Sequence, residues 1–308
     1  MLHKVLEINS DDRYICLDRG FVCIKSGEEV VGKVPIDDVG VLLLSSQQIT
    51  LSKNVLNALC ENGCITILCG KNYAPESMVM PVAGHYMMTK ILTDQIEATE
   101  PFKKRIWQQI VIAKITNQAK SLVINGFEED SRLIFKIAGM VKSGDSENRE
   151  AYAARMYWKS LFGGDFIRDK DGEGINSFLN YGYAVLRSSM ARAICSAGLL
   201  PSLGVHHDNK TNQFCLVDDL MEVYRPIVDC VVFNLYREGE TELTPQNKKT
   251  LAKCLDVKVK TTQGDSPVHQ SMHYMAQSLV YALETKKSEI QIPVWEEGTD
   301  EGPSDERI

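Results

Sequence analysis

The sequence predicts an α+β protein: an N-terminal antiparallel β-rich domain followed by a larger all-helical domain. The first eighty residues carry short apolar segments set between turn residues, the pattern of strands. From about residue 95 the apolar spacing changes to that of long helices, as in PFKKRIWQQIVIAKITNQAKSLVI. With 308 residues the chain exceeds what one core usually serves, since single cores stop growing at roughly 250 to 300 residues.

RYICL, FVCIK and EVVGKVP, separated by the turn segments DRG and SGEE, read as antiparallel hairpins, and the apolar run VGVLLL follows them. LSKNVLNALCENG switches to helical spacing, with Leu51, Val55, Leu56 and Leu59 on one stripe and Gly63 where a C-terminal cap belongs. The strand ITIL comes next. A β-rich domain over residues 1–81, a connection over 82–94 and a helical domain over 95–287 are therefore expected. Gly126 and the segments 162–174, 202–214 and 261–270 interrupt the helices. Residues 288–308 are expected to form an acidic, disordered tail, and cutting the chain after Pro293 is expected to leave the fold intact.

With 44% hydrophobic and 24% charged residues the composition is that of a soluble globular protein, and no apolar run nears the roughly 18 residues of a membrane span. The segment MLHKVLEINSDDRY lacks the features of a secretory signal, so a cytoplasmic location is expected. Nine cysteines without a CxxC pair argue for reduced core thiols rather than a disulfide framework or a zinc site. A net charge of −7 fits poorly with binding to nucleic acid. It conceals an asymmetry: residues 295–308 carry six acids and one base, whereas residues 101–160 carry eleven Lys and Arg against six acids. A local basic face is thus available, beside the alternative of a solvated helix surface.

Three segments place chemistry-bearing side chains in suggestive positions. In SENREAYAARMYWKSLFG a helix sets Glu150 on one face with Ala153, Ala154, Tyr157 and Leu161, so a carboxylate lies on a stripe meant for burial. Such a group must be paired, hydrogen-bonded or bound to metal, and an ion pair with Arg149 or Arg155 is the structural alternative. CLVDDLMEVYRPIVDCVVFNLYR reads as one helix bent at Pro226, with Asp219, Glu222 and Asp229 along one row. Like charges in a row call for a cation or a basic partner, or else face solvent. Before that helix, LGVHHDNKTNQF sets His206 and His207 on a polar loop, where imidazole beside carboxylates suits Mn²⁺, or Mg²⁺ keeping several waters.

NREAYAARMYW (148–158), FLNYGYAVL (178–186), AGLLPSLGVHH (197–207) and LVDDLMEVYRPIVD (216–229) together resemble the CRISPR-associated integrase (Cas1) family. Their order and gaps match over the whole chain apart from the acidic tail. The resemblance implies that Glu150, His207 and Glu222 bind one catalytic divalent ion, Mg²⁺ or Mn²⁺. His206 is the alternative imidazole, and Asp219 is a secondary ligand or an orienting group. It further implies joining of captured DNA fragments into a CRISPR array by transesterification at repeat ends. The implied partners are DNA, a second copy bound through the β-rich domain, and the small Cas2 protein in a larger complex. The double histidine and the NRE opening look most like members from type II systems, which would add the effector and accessory adaptation proteins. Arg149, Arg155, Lys159, Lys103, Lys104 and Arg105 are the candidates for holding the DNA backbone. A tyrosine recombinase, with Tyr152 or Tyr157 as nucleophile, is set aside because neither histidine begins an HxxR box. A scaffold that keeps the fold without the chemistry is the non-enzymatic alternative.

Overall fold

The turn segments fold the chain back where expected. In the computed structural model, which describes residues 4–70, 75–79, 81 and 88–295, β2 (Arg13–Asp18), β3 (Phe21–Ser26) and β4 (Glu29–Pro35) form an antiparallel meander. Arg19 and Gly20 turn the first hairpin with φ of +50° and +81°, the left-handed geometry that a two-residue hairpin demands. β6 (Ile49–Leu51) completes this sheet alongside β2, in the order β4-β3-β2-β6.

A second sheet corrects the expectation of a purely antiparallel domain. β1 (Lys4–Ile8), β5 (Val39–Leu44) and β7 (Ile65–Cys69) pair in parallel, β6 lies parallel to β2, and only β8 (Pro75–Val79) adds an antiparallel edge. The reason is visible in VGVLLL, every residue of which is buried. A strand covered on both faces reads as a continuous apolar run, the habit of parallel sheets. Leu42 and Leu44 face a core shared with Ile15, Val22 and with Val55 and Leu59 of α1 (Lys53–Glu61). Val41 and Leu43 face the other way and join the core of the helical half. The two halves therefore share one apolar layer, and Tyr181 adds a hydrogen bond across it to Glu7 of β1.

Ten helices run from α1 to α10 among the described residues. α2 (Met88–Ile96) occupies most of the span expected to be a connection, and residues 82–87 lie outside the described residues. α3 (Glu100–Ile124) is the spine: Thr99 caps its first turn, Pro101 sits where no N–H is needed, and α4 (Glu128–Ala138) and α5 (Arg149–Phe162) pack on it. α6 (Ile175–Ser196) lies against β5 and β7. The stretch expected to be one bent helix is two, α7 (Cys215–Met221) and α8 (Arg225–Arg237). Pro226 explains the break, because its ring clashes with the carbonyl four residues back, at Glu222. α9 (Pro245–Ala252), a hairpin of β9 (Lys258–Thr261) and β10 (Gly264–Pro267), and α10 (Val268–Thr285) complete the order.

The tail begins later than expected. Ile290 and Ile292 pack on the helical core, Val294 pairs with Lys260 of β9, and Trp295 is only 5% exposed, with Lys120 donating to its carbonyl. The acids that made this region read as solvated all follow Trp295, and residues 296–308 lie outside the described residues. No helix of the described residues is long and apolar enough to cross a membrane, and none of the nine cysteines forms a disulfide.

Candidate functional site

Glu150 enters the site from the first turn of α5. The backbone there is held from outside the helix: buried Asp145 accepts hydrogen bonds from the N–H groups of Arg149 (2.8 Å) and Glu150 (3.0 Å). An acid placed at these orphan donors also favours the positive end of the helix. Ala153, Tyr157 and Leu161 bury as the spacing predicts, while the Glu150 side chain stays 25% exposed at the stripe's end. Its partner is neither expected arginine. Arg149 binds Glu147 and Arg155 is exposed; the cation is Lys114 of α3, whose Nζ lies 2.5 Å from Glu150 Oε1.

Glu222 reaches the same ammonium. It stands in the break between α7 and α8, its side chain 5% exposed, with Oε2 2.6 Å from Lys114 Nζ and Oε1 3.1 Å from Arg225. Burial opposes the Glu222 charge, but Arg225 and Lys114 overcome it and hold the carboxyl below its ordinary pKa. Burial likewise opposes the Lys114 charge, and Glu222 and Glu150 outweigh it to raise that pKa. Two acids far apart in sequence thus converge on one cation.

The histidine loop is organised by Asp219, which is fully buried. It accepts from the backbone N–H groups of Val205 (2.7 Å), His206 (2.9 Å) and His207 (3.3 Å), and its Oδ1 lies 2.6 Å from His207 Nδ1. That hydrogen bond raises the His207 pKa against burial, with help from the charge of Glu222. Gly204 makes the turn possible: a Cβ there would lie 2.3 Å from the His207 carbonyl and 2.8 Å from Asp219 Oδ2. The two histidines diverge. His206 stacks flat on Trp107 of α3, centroids 4.1 Å apart at 2°, while the His207 side chain, 45% exposed, stands edge-on to both rings.

Asp229 does not reach this cluster directly. It is buried in α8, accepts from Tyr183 at 2.5 Å, and burial pushes its pKa up to about 7 against the hydrogen bond of Tyr183. Arg225 bridges the two layers, since its guanidinium lies over the Tyr183 ring at 4.9 Å while holding Glu222. Tyr157 donates to Ser121 and has no exposed surface, so it is no nucleophile; Tyr152 is exposed on the opposite side of α5 from that core. Of the basic candidates, Arg155 and Lys159 are exposed on α5, Lys104 and Arg105 are exposed at the start of α3, and Lys103 is half-buried.

Lys114, Arg225, Trp107 and Asp145 were missed in the sequence. For Lys114 a signal existed: Lys114, Asn117, Gln118 and Ser121 form a polar row on α3, and all four are buried. Among the described residues no three His, Cys, Asp or Glu are arranged to hold a metal ion. The donor chemistry nevertheless fits one. Glu150 and Glu222 already share a cation, Glu222 Oε2 has no hydrogen bond beyond that contact, and Asp219 fixes His207 through Nδ1 so that Nε2 is the nitrogen left for a ligand.

Solved structures share this architecture. A casposase bound to integration product superposes with a TM-score of 0.78 at 20% identity, covering 93% of this chain and 92% of that one. A Cas1 protein from Thermotoga maritima gives 0.74 at 15% identity, over 91% and 97% of the two chains. A Cas6-RT-Cas1–Cas2 complex gives 0.76 at 20% identity, matching 96% of this chain but 36% of the longer one. Sequence takes the assignment from fold to family. Residues 6–260 match the family model for CRISPR associated protein Cas1, and the chain belongs to that family. The CRISPR-associated endonuclease Cas1 of Neisseria meningitidis serogroup C (strain 8013) is 38% identical over 228 residues, 73% of this chain and 75% of the relative. A second such endonuclease, from Pyrobaculum aerophilum, is 29% identical over 275 residues, 84% and 92% of the two chains.

Proposed function

We propose that this protein is a divalent-metal-dependent DNA integrase and endonuclease of CRISPR adaptation, inserting captured fragments into the array by transesterification at repeat ends. The observation that carries the reading is the convergence of Glu150 and Glu222 on one cation, at 2.5 and 2.6 Å, with His207 close enough to Glu222 for their charges to interact. Relatives named as CRISPR-associated endonucleases and the likeness to a casposase bound to integration product support the reaction class. Glu150, Glu222 and His207 would hold Mg²⁺ or Mn²⁺. When bound, such an ion neutralises charge on the phosphate under attack and on the leaving oxygen.

The chain's own residues supply the geometry. Asp219 fixes the tautomer and ring orientation of His207. Arg225 anchors one oxygen of Glu222 so that the other points to the shared cation. Arg149, Arg155 and Lys159 on α5, with Lys103, Lys104 and Arg105 on α3, would hold DNA phosphates without reading sequence, which suits fragments of any sequence. A 3′-hydroxyl of the fragment forms the new P–O bond as the repeat's own bond breaks, so neither ATP nor a covalent enzyme intermediate is required. A homodimer through the β-rich domain, joined to Cas2 in the cytoplasm, would present two such sites. A Cas1–Cas2 complex among the structural relatives supports that partner. A type II effector and accessory adaptation proteins would complete the assembly.

Glu150→Gln tests the reading. The variant should fold and bind branched DNA, bind Mn²⁺ more weakly, and lose joining of labelled DNA by at least about a thousandfold, as expected when an ion supplies several kcal/mol of transition-state stabilisation. A stable, fully active Glu150→Gln protein would sink the assignment.

A further inference from the structure

Any divalent ion held by Glu150 and Glu222 must contend with Lys114. Its ammonium lies 2.5 Å from one carboxylate and 2.6 Å from the other, and oxygen ligands approach Mg²⁺ or Mn²⁺ to about 2.0–2.2 Å. The ammonium and the ion therefore claim the same place. The Lys114 side chain is 11% exposed and Glu222 is 5% exposed, so the ion pair is shielded from the water that would otherwise weaken it.

We propose that Lys114 is a built-in occupant of the cation position: it satisfies Glu150 and Glu222 before metal arrives, is displaced when the ion binds, and then takes a DNA phosphate as its new partner. The inference rests on the metal-binding reading above. Charge makes the hand-over necessary. With Lys114 and Arg225 present, the two carboxylates are already balanced. Adding a divalent ion leaves an ammonium beside a like charge, in a setting where unpaired charges are costly. A phosphodiester supplies the missing negative charge, so metal and DNA should each strengthen binding of the other. The side chains differ in freedom to move. Lysine is a point charge on a flexible stem, whereas the Arg225 fork is fixed against Glu222 and stacked at 4.9 Å on Tyr183, so Lys114 is the one to yield.

Titration calorimetry with Mn²⁺ on wild type, Lys114→Met and Glu222→Gln, each with and without a short branched DNA, decides the matter. Lys114→Met should bind Mn²⁺ on the order of tenfold tighter than wild type, since no ion pair must open. Its melting temperature without metal should fall below that of wild type and recover with Mn²⁺. DNA should tighten Mn²⁺ binding in wild type and do so much less in Lys114→Met. If the methionine variant does not fold without metal, Lys114→Gln, which keeps a donor but no charge, should still bind Mn²⁺ tighter than wild type. Unchanged or weaker Mn²⁺ binding in both lysine variants overturns the proposal while leaving the metal site standing. Absence of any Mn²⁺ binding to wild type that Glu222→Gln abolishes overturns the metal reading and this inference together.

Discussion

Gly204→Ala should disable the site without touching any charged group. The added Cβ would stand 2.3 Å from the His207 carbonyl, 2.8 Å from Asp219 Oδ2 and 3.0 Å from the Cys215 Cβ. Ordinary contact begins near 3.4 Å, so the His207 backbone must retreat by about 1 Å, and a backbone atom cannot rotate aside as a side-chain tip can. That retreat pulls on all four hydrogen bonds into Asp219, which range from 2.6 to 3.3 Å. Overpacking of this kind costs about 1–3 kcal/mol, or about 2–12 °C in melting temperature for a domain of this size. Joining should suffer more, because a misplacement of about 1 Å in a positioned group costs on the order of a hundredfold in rate. The assay is joining of labelled branched DNA, run beside Gly164→Ala, where an added Cβ meets nothing within 4 Å. If Gly204→Ala matches Gly164→Ala in both melting temperature and joining rate, the turn does not position His207 as argued.

Trp295→Ala, or truncation after Pro293, should destabilise the protein by about 3–5 kcal/mol, the range for emptying a buried tryptophan site; an unchanged melting curve would restore the longer tail. His207→Ala should abolish joining, while His206→Ala, which loses its stack on Trp107 and its edge contact with the His207 ring, should reduce it; the reverse order moves the ligand role to His206. Asp229 binds a proton more tightly folded, near pH 7, than unfolded, near about 3.9, so its contribution is full at low pH and fades as pH rises through about 7. Asp229→Asn should flatten the fall in melting temperature between about pH 4 and about pH 7, and an unaltered slope would show that Asp229 ionises freely.

Much of this was legible in the sequence because it rests on local rules. Strand runs, turn glycines and the Glu150 stripe follow from periodicity, and β2 to β5 and α5 fall where spacing put them. Parallel pairing of β1, β5 and β7 was not legible, since it depends on which layers cover VGVLLL rather than on VGVLLL itself. The tail was misjudged because acids after Trp295 dominated the composition, hiding the alternation of Ile290, Ile292 and Val294. The acids of the site could be found one at a time on their own helices. Their shared partner could not: Lys114 lies 36 residues from Glu150, and only tertiary packing brings them together.

The break before Pro226 shows why these residues need one another. Ending α7 at Met221 frees Glu222 from a helix row in which Asp219 would stand one turn away, and turns the two acids to different tasks. Asp219 gathers the histidine loop, and Glu222 faces α3. A helix break leaves carbonyls without partners, a penalty the interior tolerates only if other donors reach them. The polar row of α3 supplies one: Asn117 donates to the Val223 carbonyl at 2.8 Å, one turn along from Lys114, which binds Glu222 itself. Further along the same row Ser121 accepts from Tyr157 of α5, the helix that brings Glu150. One face of one helix thus seals the break, docks α5 and furnishes the cation between the two acids, so the precision of the acid pair depends on α3 as much as on the acids.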